Sequence, residues 1–180
     1  TQLGLLGLGI TGPNQVGVVA GSTTPVMVTI GQQKMDPDGH TWTGAYVFPK
    51  MYVVESNAGN MGSALEWFAG VMYPDSPAPV AALSADTANS IPGANGIIST
   101  LGVQLFNAKT LGLPIDGLTF STMTTPPGLG ARSSFARAVL EGMAFCIKIN
   151  TDQALKVAGV QPGEIRMGGG MTRSTALVQM

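Results

Sequence analysis

Histidine and cysteine are almost missing from this 180-residue sequence: His40 and Cys146 are each the sole residue of their type. A lone cysteine excludes a disulfide framework. With one histidine there is no Cys/His cluster for zinc, and any Ser/His/Asp triad would have to rest on His40, in a stretch with turn chemistry. Charge is scarce too, at 11% of residues against roughly 25% in soluble domains. Nine Lys and Arg against ten Asp and Glu leave a net charge of −1. No basic surplus exists to neutralise a phosphate backbone or an anionic bilayer, so neither nucleic acid nor a membrane is expected as a partner. Aliphatic and aromatic content of 44% excludes a disordered chain. Despite a mean hydropathy of +0.27, no apolar run reaches the eighteen or so residues of a spanning helix, because Pro13, Asn14 and Gln15 break the longest uncharged stretch. These absences predict a soluble, cytoplasmic chain of one domain, or one half of a larger two-lobed protein. The sequence has neither an initiator methionine nor a charged segment ahead of an apolar one, so its start reads as an internal boundary.

What is present is periodic. Thr1 to Gly12 (TQLGLLGLGITG) places Leu3, Leu6 and Ile10 at helical spacing with glycines beside them, which predicts a closely packed helix. QVGVVAG and VMVTIG are β-branched runs separated by Ser22, Thr23 and Thr24, which predicts an antiparallel hairpin. Asp36-Pro37-Asp38-Gly39 is a turn, with short strands expected at Tyr46–Phe48 and Tyr52–Val54. Gly59 to Met72 aligns Met61, Leu65, Phe68 and Met72 on one helical face, with Gly62 and Glu66 four apart on one side. Residues 73–95 carry little periodicity and read as a surface excursion or partly helical insertion. Strands are expected at Gly96–Leu101 and Gly117–Ser121. A long buried helix opens at Ser134, and Gly163–Met167 forms a strand running into Gly168-Gly169-Gly170 and a further helix.

Four local patterns carry chemistry. GLGITG at residues 7–12 fits the dinucleotide fingerprint G-x-G-x-x-G, but no strand precedes it and Pro13 with a β-type stretch follows, so its glycines read as helix packing. Asp36, Asp38 and His40 approach a calcium loop, yet Thr41 stands where that loop needs glycine and Val47 where it needs glutamate. No metal site is expected. Gly21-Ser22-Thr23-Thr24 between two strands could cradle phosphate oxygens with backbone N–H groups and hydroxyls, and Gly168-Gly169-Gly170 before a helix could admit a nucleotide against bare backbone. Each of these two is also an ordinary turn.

The order of the elements adds to this. A small-residue helix, a hairpin with a GST turn, ESNAGNMGSALEW, RAVLEGMAF and GGGMTRSTALVQM together resemble the FGGY family of ATP-dependent carbohydrate kinases over nearly the whole chain. The resemblance implies an α/β, ribonuclease-H-like lobe of the actin, hexokinase and Hsp70 type, a mixed sheet flanked by helices. It implies that residues 1–180 are the C-terminal, nucleotide-binding lobe of a two-lobe sugar kinase, cut at both ends. It assigns Gly21, Ser22 and Thr23 to the phosphate turn, Gly62 and Glu66 to the helix bordering the nucleotide, and Gly169, Gly170 and Ser174 to the adenosine loop. The RAVLEG helix is implied to be scaffold. The family's catalytic aspartate would fall just before Thr1, so no catalytic residue is expected within the chain, and Thr1 and Gln2 would neighbour the sugar. ATP and Mg2+ are the implied cofactors and a sugar or polyol the implied substrate. The low charge leaves room for a buried face toward a second copy, a homodimer.

Two other readings share the lobe. One is a nucleotide switch of the actin or Hsp70 kind, against which ESNAGNMGSALEW stands. The other is a pseudokinase, separated from the kinase by whether an aspartate precedes Thr1. Xylulose, ribulose, gluconate and glycerol all remain open as acceptors, and Gly96–Ser121 lacks the GER-type signature of xylulose kinases.

Overall fold

The computed structural model describes residues 1–110, the strand Phe120–Ser121 and residues 131–180. The chain runs α1 (Gln2–Gly7), β1 (Val16–Val19), β2 (Pro25–Ile30), β3 (Trp42–Ala45), β4 (Tyr52–Asn57), α2 (Met61–Met72), α3 (Pro79–Asp86), β5 (Ile98–Ser99), β6 (Phe120–Ser121), α4 (Ala131–Ala158), β7 (Ile165–Gly168) and α5 (Thr175–Gln179). Five strands form one mixed sheet in the order β3-β4-β2-β1-β7, and β5 pairs with β6. All neighbours in the large sheet are antiparallel except β1 and β7, which run parallel with Val16 beside Ile165 and Val19 beside Gly168.

Burial on both faces explains the continuous apolar run of β2. Val28 and Ile30 join Val16, Val54, Ala154 and Ala158 on the face covered by α4. Met27 joins Leu5, Ile10, Tyr46 and Val53 on the face covered by α1. This two-sided covering is what near-unbroken Val/Ile strands report. At 28 residues, α4 extends about 42 Å, long enough to cover the sheet with its last turns. Its first half packs Ala136, Val139, Leu140 and Met143 against α2 and α3 residues such as Leu65 and Leu83.

Several expectations are corrected. The first helix is six residues, not twelve. It ends in a glycine cap: Gly9, at φ 72°, donates its N–H to the Leu6 carbonyl at 2.9 Å, and the Ile10 N–H reaches the Leu5 carbonyl at 3.0 Å. Leu5 and Ile10 then meet in one buried cluster, the apolar contact that accompanies this cap. The helical spacing of Ile10 was thus a cap contact. The strand expected at Tyr46–Phe48 is instead Trp42–Ala45, with Phe48 to Met51 forming the turn into β4: Lys50 sits at φ 62° and the Met51 N–H meets the Phe48 carbonyl at 3.2 Å. β3 is a mostly exposed edge strand, so no apolar alternation marks it. Residues 73–95 hold α3, entered through Pro79 in its first turn. The strand expected at Gly117–Ser121 lies outside the described residues except for Phe120–Ser121.

The region around α3 is pinned by Tyr73, whose hydroxyl donates to Asp86 Oδ2 at 2.6 Å while the Arg132 guanidinium lies 4.8 Å above its ring. Burial, then the Asp86 bond and charge, raise the Tyr73 pKa above its ordinary value. A raised folded-state value keeps the stabilisation intact below the unfolded value near 10 and removes it as pH rises beyond that. Tyr73→Phe should therefore cost about 1–2 kcal/mol at neutral pH, and the deficit should shrink above pH ~10. Urea denaturation at pH 7 and pH 10.5 measures both.

Candidate functional site

The parallel pair β1/β7 ends in two loops that lie side by side. Ala20 donates its N–H to the Gly168 carbonyl at 2.7 Å, and its own carbonyl accepts the Met171 N–H at 3.1 Å. Gly169 is held between these bonds at φ 115°, and a Cβ there would sit 2.4 Å from the Ala20 carbonyl oxygen. Only glycine fits this close passage. The loop after β1 is fixed from its other side, where the Thr24 N–H meets the Gly59 carbonyl and the Ala58 N–H meets the Thr24 carbonyl, both at 2.9 Å. α2 then begins directly on this loop: a Cβ on Gly62 would lie 2.1 Å from the Gly21 carbonyl oxygen. Within the loop the Gly21 N–H closes onto the Thr23 carbonyl at 3.1 Å. Among the described residues the N–H groups of Ser22 and Thr23 meet no acceptor.

Beside these loops lies a cavity of about 520 Å³. Its glycine-rich side is Gly21, Ser22, Gly62 and Gly170, with Glu66 from α2 and Ser174 nearby; its opposite wall is Ala78 to Ala81 with Ser84 from α3. α3 and α5 are joined across the cavity by the hydroxyls of Ser84 and Ser174, 2.7 Å apart. Ser174 also caps α5, its Oγ accepting the Leu177 N–H at 3.2 Å. Six of the residues singled out from sequence, Gly21, Ser22, Gly62, Glu66, Gly170 and Ser174, therefore share one cavity. Thr23 stands on the same turn but outside the lining, and Gly169 forms the turn behind it.

Thr1 and Gln2 belong to a different face. Gln2 Nε2 donates to the Ala45 carbonyl at 2.7 Å on β3. Glu55 of β4 has its pKa raised by burial. The α3 wall was not found from sequence: its alanines carry no helical moment, and the only signal was Pro79 following a polar turn. Arg173, on the cavity rim, was missed as well.

The other patterns resolve as structure. GLGITG contributes the α1 cap. Asp36, Asp38 and His40 come close together, but the Asp36 carboxylate already accepts the N–H groups of Asp38 and His40, at 3.0 and 2.6 Å, and the Thr41 hydroxyl at 3.3 Å. This is a side-chain-capped turn.

No family model matches the chain. Among curated proteins it is 27% identical to an autoinducer-2 kinase of Photorhabdus laumondii subsp. laumondii, over 94% of this chain and 33% of that protein. It is 26% identical to the autoinducer-2 kinase of Yersinia enterocolitica over the same shares. The homologues of this chain are sugar kinases of the FGGY family. Among solved structures, xylulose kinase from Rhodospirillum rubrum superposes with a TM-score of 0.77 at 25% identity, covering 98% of this chain and 34% of that one. Plasmodium falciparum glycerol kinase with ADP superposes equally well, TM-score 0.77, at 21% identity over 99% and 35%. The mixed sheet flanked by helices is the actin/hexokinase-type fold of these kinases. The chain spans about a third of the length of the relatives it matches. Among the described residues no helix is long and apolar enough to cross a membrane.

Proposed function

We propose that residues 1–180 form the C-terminal, nucleotide-binding lobe of a kinase that transfers the γ-phosphoryl group of Mg-ATP to a hydroxyl of a sugar or polyol. The observation that carries this reading is the convergence of Gly21–Ser22, Gly62, and Gly170 with Ser174, from three separate segments, on one cavity. The phosphates lie against the Ser22 and Thr23 N–H groups, where bare backbone donors meet negative charge without reorganising. Glu66 and the Ser22 hydroxyl are the oxygen donors facing this end, a set that suits Mg2+ carried mainly by phosphates and water. Thr1 and Gln2 are placed beside the acceptor, and an aspartate preceding Thr1 takes the proton of the attacking hydroxyl. Catalysis is then largely positioning and charge stabilisation between two lobes that close and exclude water.

Names among the relatives and neighbours, autoinducer-2, xylulose, glycerol and gluconate kinase, set the acceptor panel. Transfer of ³²P from ATP to at least one of these acceptors by the full-length protein is the expected result, and ATP turnover with none of them would remove the sugar-kinase reading. Gly170 supplies a cleaner local test. It lines the cavity, and a Cβ there would meet nothing within 4 Å. Gly170→Leu should therefore fold normally yet fill the cavity, weakening ADP binding by at least roughly tenfold with little change in Tm. Unchanged binding would show that the nucleotide sits elsewhere.

A further inference from the structure

The cavity's two walls differ in chemistry. On one side are backbone amides and glycines. On the other, Ala78, Pro79, Val80 and Ala81 present no polar side-chain atom, and the Ser84 hydroxyl beside them is bonded to that of Ser174, which reaches it from the start of α5. An apolar wall of this kind seats an aromatic base by contact. The hydrogen bonding available to the base edge on that wall is set by the pair. Two hydroxyls sharing one hydrogen bond retain one free proton and free lone pairs, and either oxygen can be the donor. Ser174 Oγ is anchored as the acceptor of the Leu177 N–H, so its position stays fixed while the proton order reverses. The pair can therefore donate to a carbonyl oxygen or accept from an amino group with no movement of heavy atoms.

We propose that the Ser84/Ser174 pair accepts a purine whether its 6-position carries an amino or an oxo group, so that inosine and guanosine phosphates occupy this site alongside adenosine phosphates. This rests on the cavity being the nucleotide site. Strong discrimination arises where a fixed donor or acceptor is left unpaired by the wrong partner, reaching roughly 10⁴-fold, whereas contact alone gives about 10- to 200-fold. A reversible pair leaves neither group unpaired.

Calorimetric titration of the chain with ADP and IDP, which differ at the 6-position and in the proton on the adjacent N1, tests this. The expected result is two dissociation constants within about tenfold of each other. Binding of ADP with IDP weaker by more than roughly a hundredfold would overturn the proposal and leave the nucleotide reading intact. Binding of neither would overturn both. Ser84→Asp separates the hydroxyl pair from simple looseness of fit. It leaves the α5 cap in place but replaces a group that can donate or accept with one that only accepts. IDP binding should then weaken several-fold relative to ADP, and a ratio that does not move would overturn the role assigned to the pair.

Discussion

Gly62→Ala should cost the protein stability and, on the proposed function, ADP affinity as well. The added methyl would sit 2.1 Å from the Gly21 carbonyl oxygen and 2.7 Å from its carbon, both backbone atoms. No rotamer change relieves such a contact, so the start of α2 must lift away from the loop after β1. Overpacking of this kind costs about 1–3 kcal/mol and sometimes more, which for a chain of this size lowers Tm by roughly 2–12 °C. The same displacement pulls apart the glycine-rich side of the cavity, so ADP binding should weaken well beyond what the stability loss alone produces. Gly70→Ala is the matched control in the same helix. A Cβ at Gly70 meets nothing within 4 Å, and removing a helical glycine should stabilise by about 0.5–1 kcal/mol. Thermal unfolding and calorimetry on the two variants give opposite signs for Tm. Equal Tm shifts would mean that α2 does not rest on the loop.

Asn150→Ala should give the largest purely structural loss. This residue is completely buried on α4 and uses both ends of its amide. Oδ1 accepts the Ser56 hydroxyl at 2.6 Å and the Phe106 N–H at 3.2 Å; Nδ2 donates to the carbonyls of Gln104 at 2.7 Å and Cys146 at 2.9 Å. One side chain thus ties β4 and the segment entering residue 106 to the long helix. Truncation leaves the Ser56 hydroxyl proton and the Phe106 N–H without their acceptor away from water, each worth about 1–3 kcal/mol, and a total loss of roughly 3–5 kcal/mol is expected from urea denaturation. Asn150→Asp refines the test. Its carboxylate can still accept from Ser56 and Phe106 but faces the two carbonyls without a donor. Its protonated form restores one donor, so the deficit should narrow as pH falls toward 5. A deficit independent of pH would argue against the hydrogen bonds as the source.

Much of the sheet was legible because its strands are buried on both faces and so written in β-branched residues, as in Val16–Val19 and Pro25–Ile30. The long helix was legible from the period of Phe135, Val139, Met143 and Ile147. Where burial is one-sided or slight, the signal fades: Trp42–Ala45 lies at an exposed edge, and α3 buries only Leu83. For the site, the turns after β1 and β7 were readable because close backbone approach demands glycine at Gly62 and Gly169. The opposite wall was not, since alanine and proline lining a cavity look the same in sequence as alanine and proline on a surface. The Ser84 to Ser174 contact spans 90 residues and leaves no local mark at all.

The parallel pairing of β1 with β7 joins residues nearly 150 positions apart, and it is this pairing that sets the two loops against each other. A contact of that span closes late, because the entropy of the intervening chain must be overcome first. The cavity beside these loops is accordingly incomplete until β7 pairs with β1. Any ligand that favours it selects the finished fold, raising the melting temperature by mass action and serving as a reporter of complete assembly.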